Sequence, residues 1–122
     1  DMAGTMPFMS PEILQAGDAE PYSPSGCDVW ASAVVLLEML CGFGKLNAML
    51  GWATTLRPSR KCADDLQAYF SDFENLRDSL LHDLGSVDDS LLDLLTGMFQ
   101  LDWRVRWAPA HAEQCAFLQP RQ

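Results

Sequence analysis

Residues 28–42 read DVWASAVVLLEMLCG, and this stretch decides the fold of the chain. Ser25 and Asp28 have the spacing of a capping box, which predicts the start of a helix. Nearly every residue from 29 to 41 is apolar, and Gly42 is of the type that commonly follows a helix end. Because apolar residues occupy all sides of this helix, we expect it to be surrounded by protein and to form the axis of the fold.

Further helix starts lie on both sides of this stretch. The order Ser-Pro-Glu at residues 10–12 combines a capping hydroxyl, a proline in the first turn and an early carboxylate, which predicts a short helix ending near Gly17. Residues 86–89 again have capping-box spacing, and the leucines that follow at intervals of three and four predict a helix to about Phe99. A last helix is expected after Pro109.

The segment 43–85 has a weaker pattern. Residues 46–52 are consistent with a helical turn or two, residues 54–61 with a loop, and residues 63–84 with one or two amphipathic helices. No segment sustains the alternation of apolar and polar residues that is typical of a strand. The predicted fold class is therefore mainly α.

The composition indicates one globular unit with an acidic surface. The chain has 122 residues, enough for one small domain, and its 48% of hydrophobic residues is too high for a disordered segment. Its net charge of −9 argues against nucleic acid and anionic membranes as partners, because both attract clustered cations. Nine carboxylates and one cation, Arg77, lie between Asp64 and Asp93. A solvated helical face is the main interpretation of that stretch, and a surface for a basic partner is the alternative.

The sequence also favours a cytoplasmic location. The four cysteines lack CxxC spacing and no secretory leader precedes them, so we expect reduced thiols and no zinc site. The apolar run from Val29 to Leu40 is shorter than the about 20 residues that a helix needs to span a bilayer. We therefore expect a soluble intracellular chain.

Three separated blocks share their order and spacing with one family. Residues 4–12 read GTMPFMSPE, residues 28–42 form the apolar helix, and residues 91–106 with 115–118 end in DWRVR and CAFL. In this order the blocks resemble the end of the activation segment, the long buried C-lobe helix and the closing helices of eukaryotic-type protein kinases of the serine/threonine class.

Some residues depart from the usual kinase pattern. Ser10 replaces the alanine of Ala-Pro-Glu, Trp103 replaces the proline of Asp-Pro-x-x-Arg, and Cys115-Ala116 replaces the His-Pro of the last helix. The resemblance implies a helical C-lobe of a kinase-like fold across residues 1–122, with the N-lobe and catalytic loop absent. Within it, residues 43–85 match no family pattern and are expected to be a divergent or inserted acidic segment.

The resemblance assigns structural roles to four residues. Glu12 and Arg106 match the ion pair that ties the activation segment to the loop before the last helix; the alternative is that Glu12 only complements a helix N-terminus and Arg106 is a surface cation. Asp28 matches the aspartate that accepts hydrogen bonds from the catalytic loop, and as a plain helix-capping carboxylate it has an alternative role. Trp30 belongs to the buried structural helix.

The resemblance also implies a substrate-binding loop. Thr5 matches the threonine that hydrogen-bonds toward the catalytic aspartate and lysine in serine/threonine kinases, with an ordinary turn threonine as the alternative. Met6, Pro7, Phe8 and Met9 would line the pocket for the substrate residue after the phosphoacceptor.

The residues that perform phosphoryl transfer are missing from the sequence. A glycine-rich loop with its lysine, the metal-binding Asp and Asn, and a catalytic Asp are required, and none of these motifs occurs. We therefore expect no catalytic residue, no metal and no cofactor in this chain, with ATP and Mg²⁺ bound by the longer parent protein. The expected partners are a protein substrate and the missing N-lobe and catalytic segment. The alternative is a non-catalytic, pseudokinase-like helical interaction module.

Overall fold

The computed structural model describes residues 8–16, 24–115 and 118, and within them the chain forms seven α-helices and no strand. The mainly α fold class is therefore confirmed. The helices are α1 (Pro11–Ala16), α2 (Pro24–Cys41), α3 (Lys45–Leu50), α4 (Arg60–Phe70), α5 (Glu74–Leu84), α6 (Asp89–Met98) and α7 (Pro109–Glu113).

The central helix, α2, begins earlier than the capping pattern predicted. It begins at Pro24, so Ser25 lies in the first turn and is not the cap. Proline suits the first helical position because its φ angle is already helical and its missing N–H would have no partner there. Gly42 follows the helix with a φ of 108°, and its N–H donates to the Glu38 carbonyl at 2.8 Å. Glycine adopts this φ without steric cost, which explains the sharp end of α2.

The turn between α2 and α3 is held by two polar contacts. The Glu38 carboxylate accepts a hydrogen bond from the Gly44 N–H at 2.8 Å, which closes the turn. Lys45, the first residue of α3, lies 2.7 Å from the Asp83 carboxylate on α5. The prediction of a helix end and a turn here is confirmed, and the ion pair joins α3 to α5.

The core is built around three aromatic rings. Trp30 from α2 meets Phe99 edge-on at 4.9 Å and Phe70 of α4 at 5.5 Å, and the two phenylalanines stack at 4.8 Å. Edge-to-face and offset stacked pairs are the favourable arrangements of aromatic rings. The fully buried leucines that surround the rings come from α1 to α6: Leu14, Leu37, Leu46, Leu66, Leu76, Leu80, Leu94 and Leu95.

The segment 43–85 contributes to this core. It forms α3, a loop, α4 and α5, which agrees with the helices predicted for it. The helix α4 packs against α1, and α5 packs against α2 and α4. The apolar residues of this segment are part of the packed interior.

The start of α6 also differs from the prediction. Asp88 is the N-cap, and its carboxylate accepts hydrogen bonds from the Ser90 N–H at 2.9 Å and the Ser90 hydroxyl at 2.8 Å. The predicted cap, Ser86, lies two residues before it. Several Ser and Asp residues in a row offer alternative caps, and the local pattern alone did not select among them.

The expectation that α2 is surrounded on all sides is wrong for the part of the chain that the structure describes. One side is buried, comprising Val29, Trp30, Ala33, Val34 and Leu37. On the opposite side Val35 is 45% exposed, Met39 is 78% exposed, and Phe43 in the following turn is 94% exposed. These three residues are spaced by four and form what we call the exposed apolar ridge.

The helix α2 also has the length and composition of a membrane span, with 18 residues and a mean hydropathy of 1.3. It is longer than the apolar run from Val29 to Leu40 on which the sequence-based expectation rested. A core helix of a folded domain satisfies the same criteria, and α2 carries Trp30 into the aromatic cluster. We interpret α2 as a core helix on that ground.

Candidate functional site

A buried polar cluster joins α1 to the loop before α7. Glu12 lies in the first turn of α1, and Arg106 lies in the loop between α6 and α7. The guanidinium donates from Nη1 to Glu12 Oε2 and from Nη2 to Glu12 Oε1, both at 2.8 Å. This is a bidentate pair, the strongest geometry for a guanidinium and a carboxylate. It connects residues that are 94 positions apart in the sequence.

Every N–H donor of Arg106 has an acceptor. Besides the two bonds to Glu12, Nη1 donates to the Gly26 carbonyl at 3.0 Å, Nε to the Gln100 carbonyl at 2.9 Å, and Nη2 to the Leu101 carbonyl at 3.3 Å. The side chain of Arg106 is 0% exposed. A buried guanidinium is tolerated only when its donors are satisfied, and here all five are.

The same guanidinium lies against the aromatic core. Its central carbon is 5.2 Å from the centre of the Trp30 ring, within the range of a cation–π contact. Trp30 therefore touches both the ion pair and the two phenylalanines of the core. The site is thus continuous with the packed interior.

The electrostatic balance of Glu12 favours its ionised form. Burial is the largest single influence and raises the pKa of Glu12, but the hydrogen bonds and positive charge of Arg106, with smaller contributions from the Glu12 backbone and Ser10, outweigh it. The net effect holds the pKa of Glu12 below its usual value. The carboxylate is consequently charged at neutral pH and matches the charge of Arg106.

A thiol extends this network. The Ser10 hydroxyl donates to Cys27 Sγ at 3.3 Å, and Cys27 Sγ donates to Glu12 Oε2 at 3.5 Å. Burial is the main reason that the pKa of Cys27 is raised, so the thiol stays protonated and acts as a donor. Cys27 was not identified from the sequence because a single half-buried cysteine carries no spacing signal.

Asp28 does not lie at a helix cap. It comes four residues after Pro24, where α2 begins, and its side chain is exposed. The capping alternative for Asp28 is therefore wrong, since a residue beyond the first turn is too far from the free N–H groups of the helix start. Its carboxylate remains accessible to another segment.

The predicted substrate loop is described only in part. Thr5, Met6 and Pro7 lie outside the described residues. Phe8 is half-buried, and Met9 is 2% exposed and belongs to the core. The Met9 side chain is therefore part of the packed core and does not line a substrate pocket in this structure.

A second contact fixes the loop that carries Arg106. Gly97 near the end of α6 accepts a hydrogen bond from the Trp107 N–H at 3.0 Å, and a Cβ at Gly97 would overlap atoms of the Trp107 ring. Trp107 also stacks on His111 of α7 at 4.1 Å. A glycine inside a helix is a sequence signal for close packing, and this one was not used in the prediction.

This arrangement ties separate segments of the chain together. Glu12 and Arg106 neutralise each other, and the Cys27 thiol is protonated. Among the described residues no group of three or more His, Cys, Asp or Glu side chains is placed to hold a metal ion. The site is therefore a structural clamp that joins α1, the start of α2 and the loop before α7.

Comparison with known proteins gives three findings. The chain matches the protein kinase domain family over residues 1–118. Over 110 residues it is 27% identical to "MAP kinase-interacting serine/threonine-protein kinase mnk-1" of Caenorhabditis elegans, which covers 81% of this chain and 14% of that protein. Over 38 residues it is 42% identical to "Putative ribosomal protein S6 kinase alpha-2" of the same species, covering 31% of this chain and 5% of that protein. The chain spans a small part of either relative.

Proposed function

Because the chain belongs to the protein kinase domain family, we propose that it forms the helical, substrate-side part of a serine/threonine kinase domain. In that role residues 5–8 contact the protein substrate of the longer parent protein, and the helices support them. The parent would transfer phosphate from ATP with Mg²⁺ to protein hydroxyl groups, in the cytoplasm. The chain alone would neither bind Mg-ATP nor transfer phosphate, since it lacks the required motifs.

The observation that carries this proposal is the bidentate contact between Glu12 and Arg106. It anchors α1 immediately after the proposed substrate loop to the loop before α7. A binding segment is positioned more precisely when it is attached to a rigid element, which is why the anchoring of α1 supports the proposal.

The exposed apolar ridge is consistent with a larger domain. Full burial of a large apolar side chain stabilises a protein by about 1.5–3 kcal/mol. Met39 and Phe43 forgo most of that contribution here because they are 78% and 94% exposed. We propose that another segment of the parent kinase domain covers Val35, Met39 and Phe43.

Sequencing the transcript upstream of the codon for Asp1 tests the proposal. In-frame motifs resembling His-Arg-Asp and Asp-Phe-Gly are the expected result, because these carry the catalytic and metal-binding aspartates of kinases. A start codon with neither motif would contradict it and would favour the non-catalytic interaction module.

A biochemical experiment addresses the chain itself. Isothermal titration of the purified 122-residue chain with Mg-ATP is expected to give no saturable heat, and incubation with labelled ATP and a serine-containing peptide is expected to give no product. Saturable, specific nucleotide binding would contradict the proposal that this chain alone does not bind Mg-ATP.

A further inference from the structure

Two adjoining cavities lie along α4 and share part of their lining. One is a shallow, largely open depression of about 340 Å³, lined by Met49, Tyr69 and Asn75 among others. The second, of about 300 Å³, is lined by Trp52 and Leu56 among others. Leu50 and Asp65 line both cavities, so together they form one groove with a carboxylate at its middle.

The carboxylate of Asp65 is held in a fixed orientation. Its Oδ2 accepts a hydrogen bond from Trp52 Nε1 at 2.8 Å. Lys61, one turn earlier on α4, approaches Oδ1 at 3.4 Å, and its side chain is 82% exposed. An exposed ion pair of this kind contributes little to stability and exchanges readily. A cationic side chain of a partner that lies closer to Oδ1 can therefore replace Lys61 without breaking the hydrogen bond between Trp52 and Oδ2.

The charges around the groove differ at its two ends. Beyond Tyr69 and Asn75 the exposed carboxylates Asp72, Glu74 and Asp78 follow in the turn and in α5, and Arg77 lies 3.8 Å from Glu74. At the other end Arg57, Arg60 and Lys61 are exposed beside the cavity that Trp52 and Leu56 line. The acidic end repels phosphate groups and attracts a basic side chain.

We propose that this groove docks an extended segment of a partner protein, in which an Arg or Lys side chain lies beside Asp65 and an apolar side chain fills the cavity lined by Trp52 and Leu56. From its position beside Asp65, the basic side chain extends toward the end of the groove near Asn75, where the nearby carboxylates complement its charge. The inference does not depend on the proposed kinase function, because no residue of the groove belongs to the Glu12 and Arg106 clamp.

The probe for this site is a pair of fluorescein-labelled ten-residue peptides. Both carry leucine at two positions, and they differ by a central Arg or a central Glu. Fluorescence anisotropy with the 122-residue chain is expected to show saturable binding of the Arg peptide, at least about tenfold tighter than that of the Glu peptide. Binding of the Arg peptide should also weaken as salt is added, because part of the attraction is between exposed charges.

Two pairs of variants locate the binding. Asp65→Asn keeps an oxygen for the Trp52 hydrogen bond but removes the charge, and is expected to weaken the Arg peptide about tenfold. Asp64→Asn, the matched control, removes the same charge from the neighbouring exposed residue and should leave affinity unchanged. Ala68→Trp fills the groove from an exposed position and should abolish binding, whereas Gln67→Trp, also exposed but outside the groove lining, should not.

Thermal unfolding of each variant verifies that it is folded, and the Ala68 and Gln67 pair remains decisive if Asp65→Asn does not fold. No saturable binding of the Arg peptide, equal binding of both peptides, or equal effects within either variant pair would overturn the proposal.

Discussion

The clamp between Glu12 and Arg106 predicts a large coupling energy between the two side chains. Glu12→Gln leaves the buried guanidinium without a counter-charge, and breaking a buried pair from one side costs about 3–5 kcal/mol. The Glu12 side chain is 11% exposed, which allows some access of water to the altered partner and favours the lower end of that range. We therefore expect Glu12→Gln to lower the free energy of unfolding by about 3 kcal/mol.

The partner substitution should cost more. Arg106→Met removes the counter-charge of Glu12 and also three hydrogen bonds, to the carbonyls of Gly26, Gln100 and Leu101. We expect a loss of about 4–5 kcal/mol, near the upper end for a broken buried pair. In the double variant no charge is left unpaired, so its loss should be at least about 2 kcal/mol smaller than the sum of the single losses.

Urea unfolding followed by tryptophan fluorescence measures this cycle, because Trp30 lies 5.2 Å from the guanidinium. If a single variant is unfolded without additives, an osmolyte such as trimethylamine N-oxide at one fixed concentration stabilises all four proteins enough for their free energies of unfolding to be measured. Losses that add within about 0.5 kcal/mol would refute a direct energetic link between the two side chains. Exchanging the two charges, with arginine at position 12 and glutamate at position 106, is a poorer test. The carboxylate at position 106 would be repelled by the same three carbonyl oxygens that now accept hydrogen bonds from Arg106.

Three further predictions concern packing, pH and surface. Gly97→Ala should lower the free energy of unfolding by about 1–2 kcal/mol, because overlap with the Trp107 ring outweighs the gain of about 1 kcal/mol in helix propensity. A higher free energy of unfolding in urea would contradict the close contact between Gly97 and Trp107. The pKa of Glu12 is lowered in the folded chain, so the stability from the clamp is complete above the ordinary glutamate pKa of about 4.3 and is lost as the pH falls through the lower folded value. The difference in unfolding free energy between the natural chain and Glu12→Gln should therefore shrink on acidification, and a constant difference down to acid pH would argue against ionisation of Glu12. Met39→Glu should change the free energy of unfolding of this chain by less than about 0.5 kcal/mol, because Met39 is exposed. The same substitution should destabilise a longer parent in which the ridge is covered. A change in melting temperature seen in the short chain and not in the longer one would contradict this.

The sequence predicted the helices well and their first residues less well. Spacing and capping residues located α1, α2, α6 and α7, because periodic apolar residues and a start signal coincide there. The errors at Ser25 and Ser86 have one cause. Near both positions another residue begins the helix: Pro24 precedes Ser25, and Asp88 follows Ser86. The cap at Asp88 depends on a side-chain geometry with Ser90 that a spacing rule does not contain.

The candidate site was only partly accessible from the sequence. The pairing of Glu12 with Arg106 came from the family resemblance, since nothing in the local pattern connects residues 94 positions apart. The other acceptors of Arg106 are main-chain carbonyls, which every residue possesses, so no sequence signal marks Gly26 or Gln100. The Asp65 groove likewise could not be predicted from the sequence, because its shape arises from the packing of α3 and the following loop against α4.

The disagreement over α2 bears on the proposal that this chain is part of a larger kinase domain. The sequence pattern is apolar on all sides of the helix, whereas the described residues bury one side and leave Val35, Met39 and Phe43 outside. An apolar pattern on all sides of a helix indicates that all sides are buried in the complete protein. The structure of this chain can show only the contacts made by the residues it contains. Exposed apolar residues that adjoin one another in a patch are typical of an interaction surface. The two observations agree if the ridge is an internal surface of a larger kinase domain. The stability of this chain alone would then be lower than its core suggests, and a covering segment added in trans should raise it.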